Sequence, residues 1–180
     1  MKRYIVLFSL VLIMASCNNA DNKSSTSATT DAAPATAEVQ LPFTLAEPYK
    51  NWSIGSTENV AAAMKGLKAF IDNDFAALAA VIGDSLTLDF DQFQAKMSRD
   101  SAVKFFTGMR PMFNDIKITM YDYVSVISAD KKAEWVTLWY KQVWTDPKGV
   151  VDSMNYVNDI RLENGKMVEL NEKGSRFMKK

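Results

Sequence analysis

The side chains this chain lacks narrow its chemistry first. It has no histidine and one cysteine, Cys17. Histidine is the commonest general base at neutral pH and the commonest transition-metal ligand. Ser–His and Cys–His nucleophilic catalysis therefore have no base to run on. No glycine-rich phosphate loop is present. What remains is proton transfer by a carboxylate, which needs no metal and no cofactor. Asp89 and Asp91 sit two apart at the end of a short apolar run, Leu86 to Phe90, that reads as a strand. Without further carboxylates beside them they make a poor cation site, and no metal and no cofactor are expected.

Strand parity picks out one more polar residue. Successive side chains on a strand point to opposite faces. In the stretch from Val150 to Leu162, Met154, Tyr156, Asn158, Ile160 and Leu162 share a face, and Ser153, Asn155, Asp159 and Arg161 share the other. The first row is apolar except for Asn158, so Asn158 is expected to point inward. A buried amide requires partners, which a ligand, a water or the backbone can supply. Tyr156 and Ile160 flank it as apolar walls. The preceding run, Glu134 to Thr145, carries aromatics on both faces: Trp135 and Trp139 on one, Tyr140 and Trp144 on the other. The turn Asp146-Pro147-Lys148-Gly149 leaves the register between the two strands open. The expectation is that Trp135 and Trp139 complete the wall of a ligand pocket.

The elements that must position these residues follow from periodicity. Ser56 is a good N-cap, and Val60, Met64, Leu67 and Ile71 recur at helical spacing. Asn73-Asp74 breaks that helix, and Phe75, Leu78, Ala79 and Ile82 mark a second. A third begins near Asp100 with Ala102, Phe105, Phe106 and Met109 on one face, and Pro111 ends it. From Ile116 the period drops to two. Ala129-Asp130-Lys131 and Asn164-Gly165 are turns, and Lys166 to Leu170 pairs back. Helices followed by a meander of long strands predict an α+β domain, with N-terminal helices packed on a strongly curved antiparallel sheet.

The N-terminus has its own grammar. Met1-Lys2-Arg3 precedes an apolar run from Tyr4 to Met14, then Ala15-Ser16-Cys17. The run is too short to span a bilayer, which takes about 20 apolar residues. The pattern resembles the signal peptide and lipobox of bacterial lipoproteins. That resemblance implies cleavage before Cys17 and lipid on its thiol, so residues 1–16 would leave and the membrane would be a partner through Cys17. More than one acyl chain gives stable anchoring. Residues 17–40, lipidated Cys included, read as a flexible tether: Ser-, Thr- and Ala-rich, with no aromatic residue. Residues 41–180 hold all 4 Trp and read as a single domain. No acidic pair follows Cys17, so the expected location is the cell envelope, on the periplasmic side of an outer membrane.

Charge adds an exclusion. Lys and Arg number 21 against 21 Asp and Glu, and the signal peptide removes Lys2 and Arg3. No basic field is left to attract nucleic acid.

Phe70-Ile71-Asp72-Asn73-Asp74-Phe75-Ala76-Ala77-Leu78, Gly83-Asp84-Ser85-Leu86-Thr87-Leu88-Asp89 and Leu162-Glu163-Asn164-Gly165-Lys166-Met167-Val168-Glu169-Leu170 together resemble the nuclear transport factor 2-like superfamily, also called SnoaL-like. The resemblance covers roughly residues 56 to 172 and implies a cone: a sheet curled around helices, with a pocket at its open end. It also implies a general-base role for Asp89, at the end of the first strand, and a polar group at Asn158. The phenolic donor that isomerase-like members carry on the first helix is missing, its place falling near Gly66. Fold alone does not fix function in such a family. Three readings compete. The favoured one is a membrane-anchored, non-catalytic domain that binds a small apolar ligand or a partner, or whose pocket its own side chains fill. The second is a cofactor-free isomerase or dehydratase using Asp89. The third is a homodimer or interaction module of the envelope.

Overall fold

The computed structural model describes residues 41–91 and 93–176. The expectations placed on residues 1–40, Cys17 and the tether among them, lie outside these residues. The described residues from Leu45 onward form one compact unit. Its elements run β1 (Ser53–Ile54), α1 (Thr57–Ile71), α2 (Phe75–Val81), β2 (Ile82–Phe90), β3 (Phe93–Ser98), α3 (Arg99–Met109), a 3-10 turn (Arg110–Met112), β4 (Asn114–Ile127), β5 (Glu134–Thr145), β6 (Val151–Glu163) and β7 (Lys166–Ser175). This is the α+β arrangement the periodicity predicts.

The helices begin where side chains can cap them. The Ser56 hydroxyl accepts from Asn59 N at 3.2 Å and opens α1. Asn73 takes φ 59°, a left-handed conformation that asparagine tolerates, and turns the chain. The Asp74 carboxylate then accepts from Ala77 N at 2.9 Å and opens α2. Ser98 caps α3 in the same way. Pro111 supplies no N–H, so α3 gives way to the 3-10 turn at Arg110. Arg110 then ties this corner back to α1. Its Nε donates to Phe70 O at 3.0 Å and its Nη2 to Ile71 O at 2.8 Å, and Nη1 reaches Phe113 O. One guanidinium thus serves two carbonyls at the end of α1, Ile71 O and Phe70 O, the latter also accepting from Asn73 N at 3.3 Å.

Seven strands form one sheet in the order β1-β4-β5-β6-β7-β2-β3. Every pairing is antiparallel except β2 with β7, because β2 enters the sheet from the helices rather than from a hairpin. The helices cover one face, and the buried core lies between them: Val60 and Ala63 of α1, Leu78 of α2, Ala102 and Phe106 of α3, with Leu86, Leu88, Val136, Leu138, Ile160 and Leu162 of the sheet.

Two bulges set which side chains face that core. In β4 the register slips between Met120 and Asp122. Ile118 and Met120 therefore lie beside Gln142 and Tyr140, while Val124 and Val126 lie on the opposite face beside Thr137 and Trp135. The period of two read from Ile116 onward is thus interrupted between Met120 and Asp122. In β7 a second slip falls between the Leu162–Met167 and Arg161–Glu169 pairs. It turns Leu170 and Glu172 toward the helices and leaves Glu169 and Asn171 outside. A bulge adds one residue to one strand, so every side chain beyond it changes face.

Candidate functional site

Between the helices and the inner sheet face lies a cavity of about 100 Å³. α1 contributes Ala63, Gly66, Leu67 and Phe70, and α3 contributes Phe106 and Met109. Phe113 closes one end, and Phe90 and Leu170 stand on the sheet side. Aromatic edges interlock around it. Phe70 meets Phe106 at 6.0 Å and Phe113 at 6.3 Å, both edge to face, and Phe113 meets Trp144 at 5.5 Å. Glycine at Gly66 lets Met167 reach α1, since a Cβ there would lie 2.7 Å from the Met167 methyl carbon.

The polar lining is confined to the sheet. It consists of Tyr140 and Gln142 of β5, Tyr156 and Asn158 of β6, and Glu172 of β7. Cross-strand register assembles them. Tyr140 stands opposite Tyr156, and Asn158 opposite Glu172. Residues directly opposite on an antiparallel pair have Cβ atoms about 5 Å apart, so these side chains share one patch. The two phenol rings stack at 5.5 Å, and Tyr140 Oη donates to Glu172 Oε2 at 3.5 Å, the long limit for such a bond.

Burial governs the protonation of this patch. The Glu172 carboxyl is pushed above the usual carboxylate range, mainly by its loss of solvent. Hydrogen bonding from Asn158 and Tyr140 pulls it back, and the negative charge of Asp91 pushes the other way. Burial also lifts Tyr140 well above the ordinary phenol value, and Tyr156 to about 12, with the charge of Glu172 adding to both. The phenols are therefore donors and not bases near neutral pH. Glu172 is the carboxyl of the lining, and its proton is held more tightly than that of a free carboxyl.

Asn158 is the unusual member. Only 4% of its surface is exposed, and its Oδ1 has no hydrogen-bond partner. A buried acceptor without a partner is rare enough to require a cause.

The residues singled out from sequence divide between the two faces. Asn158, Tyr156 and Ile160 line the cavity together. Asp89 does not. Leu86, Leu88 and Phe90 take the inner face of β2, so parity sends Asp89 outside, where its Oδ2 accepts from Asn171 Nδ2 at 3.1 Å. The general-base position that the resemblance implies for Asp89 is thus corrected: Asp89 is not in the cavity lining, and Asn158 is. Trp135 and Trp139 are corrected for the same reason. They alternate with the buried Val136, Leu138 and Tyr140, and they stand on the outer face opposite Arg161 and Val157. Tyr140, Gln142 and Glu172 were not anticipated as lining groups. Tyr140 and Gln142 had a signal, since they share parity with Leu138. Glu172 had none, because its inward aim depends on the bulge in β7.

No family model matches the sequence, and no curated protein matches it significantly. Solved structures do match the fold. One is a nuclear transport factor 2-like protein of unknown function from Burkholderia pseudomallei, 12% identical, covering 67% of this chain and 92% of its own, with a TM-score of 0.56. Another is a SnoaL-like polyketide cyclase candidate from Jannaschia sp. CCS1, 12% identical, covering 66% and 86%, at 0.55. A third is an epoxide hydrolase of the LEH-like type from Mycobacterium tuberculosis, 14% identical, covering 67% and 80%, at 0.54. The domain therefore has the nuclear transport factor 2-like fold, helices held in a curled sheet. At such identities the likeness extends to the fold and no further.

Proposed function

We propose that this chain is a lipid-anchored protein of the cell envelope whose domain binds a small, mostly apolar molecule in the cavity between its helices and sheet. The observation that carries the binding reading is the lining itself: aromatic and aliphatic walls around a single polar patch. Ligand pockets have this composition, with few polar groups placed to fix orientation. Anchoring rests on Cys17 and the apolar run before it.

Calorimetry on the purified full-length chain tests binding. Saturable uptake of six-membered ring compounds is expected, with a negative heat-capacity change from apolar burial. Leu170→Trp, which fills the cavity, is expected to abolish it. Absence of uptake by the native chain defeats the reading. Anchoring is tested by metabolic labelling with a fatty-acid analogue. Label is expected on the native chain and not on Cys17→Ser, and equal label on both rejects the lipid site.

A second reading, a cofactor-free proton-transfer enzyme, is favoured by one observation. The cavity holds a carboxyl, and it belongs to Glu172 rather than to Asp89. On this reading Glu172→Gln abolishes turnover of an enolisable ketone without loss of binding, whereas Asp89→Asn changes neither.

A further inference from the structure

The polar patch also bears on the class of ligand, an inference that rests on the binding reading. Asn158 projects from the middle of β6, flanked on its own face by Tyr156 and Ile160. Its side chain lies close enough to Glu172 and Tyr140 to favour the ionised form of each. Its Oδ1 is buried and without a partner, on a side chain that lines the cavity. The Tyr140 hydroxyl is committed to Glu172. Within the polar patch, Asn158 Oδ1 is the buried acceptor left without a donor.

We infer that the cavity is built for a small ring-bearing alcohol, alicyclic or phenolic, whose O–H donates to Asn158 Oδ1 while its ring packs among Phe70, Phe106 and Leu170. A hydrocarbon leaves Oδ1 unsatisfied. A ketone only accepts and leaves it unsatisfied too. A site whose buried polar group needs the ligand's hydroxyl discriminates strongly against analogues without it. An ammonium ion also donates, but its charge would have to enter a largely apolar cavity. Glu172 offers it little compensation, because burial works against the ionised carboxyl. A hydroxyl carries no such penalty, and its oxygen can in turn accept from a protonated Glu172.

The test is a matched series on the full-length chain at neutral pH, followed by calorimetry: cyclohexanol, cyclohexanone, methylcyclohexane and cyclohexylammonium. Cyclohexanol is expected to bind at least about tenfold more tightly than each of the others, in keeping with the cost of a buried acceptor left unpaired. In Asn158→Leu, cyclohexanol and methylcyclohexane are expected to bind alike. Where that variant does not fold, the native chain alone decides: cyclohexanol must shift the Asn158 side-chain amide resonances in NMR spectra, and methylcyclohexane must not. Binding of all four without preference overturns the ligand class and leaves the pocket reading intact. Preference for cyclohexylammonium overturns it in favour of an amine. Failure of every compound to bind removes the pocket reading and this inference with it.

Discussion

Asn158 and Glu172 face each other directly across β6 and β7, on the sheet face that lines the cavity. The pair joins an amide with an unsatisfied oxygen to a carboxyl that burial pushes above its usual range. Tyr140, one strand further on, completes the patch from the other side of Asn158.

Glu172 should leave a signature in stability against pH. Its carboxyl is raised above the ordinary 4.5, so the native state binds this proton more tightly than the unfolded chain does. The contribution is fully present below 4.5 and is lost as pH rises through the native value. Glu172→Gln keeps the shape and cannot ionise. Denaturation profiles from just below 4.5 to neutrality are expected to show a decline in the native chain that is reduced in the variant. At neutral pH the variant is expected to be the more stable of the two. Parallel profiles would show that Glu172 ionises freely in the folded protein.

The sequence carried the helices plainly, because Ser56, Asp74 and Pro111 mark their ends by chemistry that is local. It carried the inward aim of Asn158 for a similar reason: parity within one strand needs no partner. Asp89 and Glu172 show where local reading stops. The face of Asp89 follows from its neighbours Leu88 and Phe90, which share the inner face, and parity was available to correct it. The face of Glu172 was not available. A two-residue turn at Asn164-Gly165 with no bulge pairs Leu162 with Met167, as observed, and continues to set Asn158 against Asn171. The extra residue in β7 sets it against Glu172 instead, and tertiary packing of Met167 under Gly66 has no sequence signal of its own. β3 was missed as well. Phe93, Ala95 and Met97 alternate with Gln94, Lys96 and Ser98, so a period of two was there to be read, although over only 6 residues; pairing with β2 defines the strand.

Asp89 supplies the control for the cavity. Its carboxylate faces outward and accepts from Asn171, far enough from complete burial that the exchange to an amide is mild. Asp89→Asn is expected to change stability by no more than about 0.5 kcal/mol, as surface substitutions generally do, and to leave ring-compound affinity unaltered. A calorimetric titration showing weakened binding in this variant would mean that Asp89 acts on the cavity after all.

Arg110 carries more of the architecture than its place in a short 3-10 turn implies. It binds the last carbonyls of α1 and the entry to β4 through one planar group, over the ring of Phe70 at 5.9 Å. Hydrogen bonds to charged groups contribute about 1.5–3 kcal/mol. Arg110→Met, which retains the apolar stem, is expected to lose about 2–3 kcal/mol in urea unfolding. Lysine at the same position has one donor group where the guanidinium uses three nitrogens, so Arg110→Lys is expected to recover only part of that loss. A cost below about 0.5 kcal/mol for Arg110→Met would show that water serves the α1 carbonyls equally well.

Gly66 sets the size of the cavity from the helix side. In a helix interior, alanine is favoured over glycine by about 1 kcal/mol. Against this, a new Cβ would lie 2.7 Å from the Met167 methyl carbon and 2.9 Å from its sulfur. Those atoms end a flexible side chain, so Met167 is displaced while the α1 backbone is not. Met167 and Gly66 both line the cavity, and the room available to the displaced thioether is the cavity itself. The two effects oppose each other in stability and combine in binding. Gly66→Ala is therefore expected to unfold within about 1 kcal/mol of the native chain, yet to bind ring compounds more weakly. Met167→Ala added to it reopens the space and is expected to restore binding, although the shortened core residue lowers stability by about 2–5 kcal/mol. Undiminished affinity in Gly66→Ala would place the ligand elsewhere.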